Sequence, residues 1–154
     1  MATTYRAANY SQPPAYNGPW AGVSFTREFS FNASIALIIN DIILLAQIPA
    51  GTFLDDFLVD VPDLDTGTTM TLSLGDNTTA NRYLSASTIG QAGGKVNGMV
   101  TAIAASLPTY YSAADAFQLK VIAAPTGGTA TVSLRGWIRF HFAANNPAFP
   151  AINA

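Results

Sequence analysis

The sequence predicts an all-β domain, a sandwich or a barrel, and three observations carry that prediction. The first is a period of two in the last long run. Ala130, Val132, Leu134, Ile138, Phe140 and Phe142 fall on one parity, while Thr131, Ser133, Arg135, Trp137, Arg139 and His141 fall on the other. Such alternation gives a strand one dry face and one wetter face. The second is spacing: about eight short apolar runs are separated by turn signals. The third is the lack of any strand–helix alternation or internal repeat.

The elements follow in order. Residues 1–22 read as an extended arm, because Tyr5, Tyr10, Tyr16 and Trp20 are scattered among Pro13, Pro14 and Pro19 without a period. Proline blocks sheet pairing, so the arm is expected to stay out of the domain's own sheet. Disordered segments are poor in aromatics, so this one is expected to lie down on a neighbour.

Strands begin at Val23, with Phe25, Phe29 and Phe31 opposite Ser24, Thr26, Glu28 and Ser30. Two apolar runs, Ile35–Ile39 and Ile42–Ile48, flank a turn or bulge at Asn40-Asp41. Phe53, Phe57, Val59 and Val61 then share one parity, with Leu54, Asp56, Leu58 and Asp60 on the other. Met70, Leu72 and Leu74 mark the next strand, and Arg82–Ala86 a further short one. The Gly-rich stretch Gly90–Gly98 reads as flexible, and Met99–Leu107 as a short helix or strand. Phe117, Leu119, Val121 and Ala123 give a clean strand before the final one. The core domain is thus 23–142, with a C-terminal tail at 143–154.

Composition restricts function. Only 10% of the 154 residues are charged, against a usual ~25%. Hydrophobic residues reach 49%. A surface with so few charges is expected to be covered by other protein, in a homo-oligomer or a larger assembly. Seven basic and nine acidic residues leave a net charge of −2, which argues against nucleic-acid binding. No signal peptide is visible, and Ile35–Ile48, broken by Asn40-Asp41, is too short and polar to span a bilayer. Cysteine is absent, so disulfides, thiolate metal sites and cysteine nucleophiles are excluded.

The chemistry-bearing residues point away from catalysis. Asp55, Asp56, Asp60, Asp63, Asp65 and Asp76 cluster in sequence, and Asp63-Leu-Asp65-Thr-Gly67 is a fragment of a calcium-loop pattern. It lacks the closing Glu, so a solvated strand face and an Asp-rich turn are expected instead. Asp55 and Asp56, adjacent on a strand, are expected on opposite faces and so cannot flank one glycosidic bond. The only histidine, His141, comes with no Gly-x-Ser-x-Gly elbow. Gly90–Lys95 departs from the phosphate-loop pattern at Ile89 and Val96. No catalytic, metal or cofactor residues are assigned. Trp137, flanked on its face by Arg135 and Arg139, has the composition of an interface anchor. The interface candidates are therefore Tyr5, Tyr10, Tyr16, Trp20, Arg135, Trp137 and Arg139.

The segments Asn40–Gly51, Phe57–Val61, Asp63–Gly67, Leu72–Asp76, Arg82-Tyr-Leu and Gly90–Gly94 together resemble small proteins of tailed bacteriophages. These include capsid decoration, or cement, proteins with β-sandwich or jelly-roll folds. The resemblance spans roughly residues 23–142 and rests on turn signatures. It implies a jelly-roll sandwich and a non-enzymatic structural protein, made in the host cytoplasm, that joins the virion at the capsid surface. It implies the major capsid protein as partner, with dimers or trimers of the chain itself. A carbohydrate- or receptor-binding module of a virion is the alternative, with Trp137, Tyr110 and Tyr111 as its aromatic candidates.

Overall fold

The computed structural model describes residues 1–10, 23–33, 36–98, 107–127 and 132–143. Ten strands pair into two five-stranded sheets, and among the described residues the only helical element is a 3-10 turn, Thr88–Gln91. The strands are β1 (Thr4–Arg6), β2 (Ser24–Ala33), β3 (Ile42–Ile48), β4 (Thr52–Val61) and β5 (Thr71–Gly75). They continue as β6 (Leu84–Ser87), β7 (Gly94–Asn97), β8 (Thr109–Tyr111), β9 (Asp115–Ala123) and β10 (Val132–Phe142). The first sheet runs β1-β3-β9-β5-β6. The second runs β2-β10-β4-β7, with β8 pairing the remaining length of β4. Consecutive strands β2 to β5 alternate between the sheets, as do β9 and β10. The four-stranded layers β2-β10-β4-β7 and β3-β9-β5-β6 are those of a jelly roll. Three strands fall where none was predicted: β1 and β8, of three residues each, and β7, of four.

Alternation builds the core. Leu134, Ile138, Phe140 and Phe142 of β10 face Phe117, Leu119 and Val121 of β9, and all are buried. Phe57, Tyr83 and Phe117 form a ring cluster with centroids 5.0–5.8 Å apart. Each such side chain contributes roughly 1.5–3 kcal/mol by leaving water. Arg27 is the exception on the inner parity of β2. Its guanidinium donates to the Gln47 carbonyl (2.6 Å) and lies 5.8 Å from the Phe140 ring centroid. Burial pulls its pKa below the usual arginine value.

Three local expectations change. In β4 the register against β10 jumps from Arg139↔Asp56 to Phe140↔Leu54, so Asp55 is the extra residue of a β-bulge. The bulge flips the parity: Leu54 is buried with Phe140, and Phe53 turns to the outside, opposite the predicted assignment. The stretch Gly90–Gly98, read as flexible, begins inside the 3-10 turn Thr88–Gln91, and its residues 94–97 make β7 on the edge of β4. Its glycines serve close approach: a Cβ at Gly90 would sit 3.0 Å from Met70 Sδ, and Gly93 has φ +74°. The Gly90 carbonyl meanwhile accepts the N–H groups of Leu64 and Asp65.

The third change is at the start of the chain. Thr4–Arg6 adds to the first sheet, pairing in parallel with Ile42–Leu44 of β3. Ala7 N–H donates to Leu44 O of one sheet, and Ala8 N–H donates to Ser30 O of the other. The buried Asp41 carboxylate receives the N–H of Thr3 (2.6 Å) and of Ile38 (2.9 Å). Residues 1–10 therefore join the domain and fasten both sheets along one edge. The prolines that argued against pairing all lie beyond this segment, outside the described residues.

Candidate interaction surface

β10 is central in the second sheet, and its outer parity builds a strip of charge pairs with β4. Arg135 Nε meets Asp60 Oδ2 at 3.4 Å, Arg139 meets Asp56 at 3.5 Å, and His141 Nδ1 meets both oxygens of Asp55 at 2.8 and 2.9 Å. Sequence reasoning put Asp55 and Asp56 on opposite faces. The bulge puts both carboxylates on the outer face, where they reach His141 and Arg139. The pairs are partly exposed, so each is worth about 0–1 kcal/mol. Their larger effect is on character: the two Arg–Asp pairs cancel each other's charge along this strip.

Trp137 stands between these pairs, half-buried, on the outer face rather than against the first sheet. Beyond His141 the strip turns aromatic. The imidazole stacks on Phe53 (5.1 Å, 14°), and Phe53 contacts the exposed Tyr110 (4.9 Å). The His141–Asp55 pair alone does not make a hydrolytic triad. Among the described residues no Ser or Thr hydroxyl is hydrogen-bonded to His141.

Of the remaining sequence candidates, Tyr5 and Tyr10 are engaged with their own domain. Tyr5 packs on Phe31 at 6.1 Å. Tyr10 lies under the Arg6 guanidinium at 5.7 Å, and its phenol is pushed up by burial, with Arg6 opposing. Tyr16 and Trp20 lie outside the described residues. Tyr111 is buried and so is no platform for a sugar.

The other acids are structural. Asp65 accepts the N–H of Gly67 (2.8 Å), Thr69 (2.8 Å) and Met70 (2.7 Å). Burial would raise its carboxyl, but these three donors outweigh it and hold the pKa below the usual value. Asp76 is fully buried and accepts from Thr79 N–H (2.6 Å), from Arg82 and from the Tyr111 hydroxyl (2.8 Å). Since Tyr111 spends its proton on Asp76, Tyr83 donates to the Tyr111 oxygen (2.6 Å). Burial raises the pKa of both phenols, so they stay protonated donors. Among the described residues no three His, Asp or Glu side chains are grouped to hold a metal ion.

A second surface was missed by sequence reasoning. Five large hydrophobic side chains are exposed among the described residues, and four of them, Met1, Ile38, Ile39 and Ile122, belong to one corner. Ile38, Ile39 and Ile122 are 39%, 55% and 36% exposed, too open to count as core. Hydrogen bonds gather their segments: Asn40 N–H to Val121 O, Val121 N–H to Asp41 O, and the Thr3 and Ile38 N–H groups to the Asp41 carboxylate. Val121 faces the core, so its neighbour Ile122 faces out from the first sheet, on the side of the sandwich away from Trp137. Asn40 makes the turn with φ +69°. The signal was in plain view as the run Ile35–Ile39, which hydropathy alone assigns to the interior.

Three solved phage structures contain a chain with this architecture. One is a chain of the structure titled "Capsid of Ralstonia phage GP4". It matches with a TM-score of 0.74 and 27% identity, over 91% of this chain and 98% of that one. The fold is phage-capsid-related. A chain of the cyanophage Pam1 capsid asymmetric unit shares the fold at TM-score 0.62 and 21% identity, over 86% of this chain and 94% of that one. A chain of the Helicobacter pylori bacteriophage KHP30 capsid structure does so at 0.51 and 14%, over 79% and 90%. No family model matches the sequence, and no curated protein matches it.

Proposed function

We propose that this chain is a structural protein of a phage virion that binds the outside of the assembled capsid and stabilises it, as a decoration or cement protein. The observation that carries this reading is the likeness, at 27% identity over nearly the whole of the other chain, to a component of the Ralstonia phage GP4 capsid. Composition supports it. Six of the sixteen charged residues are spent on ion pairs within the chain, and an apolar corner is left open at Met1, Ile38, Ile39 and Ile122. Exposed patches of this kind mark protein contacts. That corner is the surface we set against the major capsid protein, and dimers or trimers of the chain complete the contact. Mechanism is mass action: a protein that binds only the assembled shell lowers the free energy of that shell relative to its parts.

The test is addition of the purified protein to particles lacking it. Binding to intact shells, a higher temperature of particle disruption, and loss of both in Ile39→Asp are expected. Wild-type protein that does not sediment with shells would overturn the reading. So would Ile39→Asp protein that binds as well as wild type, in what concerns the corner.

A further inference from the structure

A groove of about 410 Å³ opens on the outer face of the second sheet, on the opposite side of the sandwich from the apolar corner. It is lined by Trp137 and Leu58, by the charged Glu28, Asp60, Lys95 and Arg135, and by Asn9. Four strands and the N-terminal segment thus converge on one concavity, whose size is within the roughly 300–1,000 Å³ of small-molecule sites.

Charge selects the ligand. Two acids and two bases cancel, so neither an anion nor a cation gains from the groove as a whole. The Arg135–Asp60 contact is long, at 3.4 Å, and Arg135 is largely exposed, so both keep hydrogen-bonding capacity for a guest. A neutral polyhydroxyl ligand uses carboxylate acceptors and cationic donors together, because each hydroxyl both donates and accepts. The half-buried indole supplies a flat apolar surface, matched by the C–H face of a pyranose. Because Trp137 lies between paired strands, its ring is held by the sheet and little entropy is lost on binding.

We propose that this groove is a binding site for a neutral saccharide, stacked on Trp137 and hydrogen-bonded by Asp60, Arg135 and Glu28. The site does not depend on shell binding, since it uses the opposite face of the sandwich.

The test is titration of the 15N-labelled full chain with three neutral probes, maltohexaose, cellohexaose and chitohexaose, and one anionic probe, hexagalacturonate. The Trp137 indole N–H and the Asn9 and Lys95 amides are followed by NMR, with Trp137→Phe identifying the indole. At least one neutral hexaose is expected to shift all three signals saturably. Trp137→Ala should weaken binding about tenfold or more, a loss of about 1.4 kcal/mol. Trp137→Phe should retain most of it, and Asp60→Asn should weaken it with the fold intact. No shift with any neutral probe at millimolar concentration would overturn the proposal. So would binding that survives Trp137→Ala, or binding of the anionic probe alone.

Discussion

Asp55 and Asp56 are neighbours in sequence, yet their carboxylates reach two residues of the same face of one strand, His141 at 2.8 Å and Arg139 at 3.5 Å. An unbroken strand forbids this, and the bulge at Asp55 permits it. The bulge also decides which of Phe53 and Leu54 enters the core. Deleting Asp55 removes the extra residue, so Leu54 should stay inward opposite Phe140 and Phe53 outward, at a cost below the ~2–5 kcal/mol of a disrupted core position. Asp55→Ala keeps the residue count and should cost about 1 kcal/mol or less. Urea unfolding of the two variants checks this; a loss of ~2–5 kcal/mol on deleting Asp55 would contradict the register.

The same parity switch is tested by truncation. Leu54→Ala, Leu72→Ala and Phe140→Ala remove fully buried side chains and should each destabilise by about 2–5 kcal/mol. Phe53→Ala, on the outer face, should cost clearly less. A Phe53→Ala loss as large as that of Leu54→Ala would place Phe53 inside.

The N-terminal segment is expected to be structural. Removing residues 1–8 deletes β1, the Ala7 and Ala8 hydrogen bonds and one of two donors to the buried Asp41 carboxylate. An under-satisfied buried acceptor alone costs about 1–3 kcal/mol. The melting temperature of the truncated chain should therefore fall by several degrees, and an unchanged value would mean the segment does not hold the sheets.

Tyr111→Phe should destabilise by about 1–3 kcal/mol, because it takes a donor from buried Asp76 and leaves the Tyr83 hydroxyl without its acceptor. Tyr110→Phe, at an exposed position, should be close to neutral. Thermal melts of the two neighbours provide the comparison.

Acid should act partly through Asp65. Its pKa is lower in the folded chain than in the unfolded one, so the unfolded state binds the proton first. The stabilisation is complete above the unfolded value of about 3.9 and is lost as pH falls through the lower folded value. Asp65→Asn should be less stable than the parent near neutral pH. Its stability should then fall less steeply as the solution is acidified below pH ~4. Parallel pH profiles would remove Asp65 from the acid response.

The long strands were readable because their hydropathy alternates over many residues: β2, β9 and β10 carry the apolar parities that the structure buries. Where alternation broke, reading broke with it. Nothing in Leu54-Asp55-Asp56-Phe57 says which residue is extra, because a bulge is settled by the partner strand. β1 has three residues and is held by backbone pairing and Asp41, which leaves no pattern to detect. β7 was hidden by glycines that serve close packing rather than freedom. On the interaction surface, parity placed Arg135, Trp137 and Arg139 together on one face. Their acidic partners lie 75 and 83 residues earlier in the chain, a distance only the fold closes.

The anchoring of Thr3 by Asp41 has a practical corollary for handling the protein. Any affinity tag placed ahead of Met1 would emerge beside Ile38 and Ile39, and a bulky one would shade the apolar corner. A capture experiment with such a fusion would then report steric blockage as lack of affinity. The loop between β8 and β9 offers a safer place for a label. Ser112, Ala113 and Ala114 are exposed there, at the opposite end of β9 from Ile122.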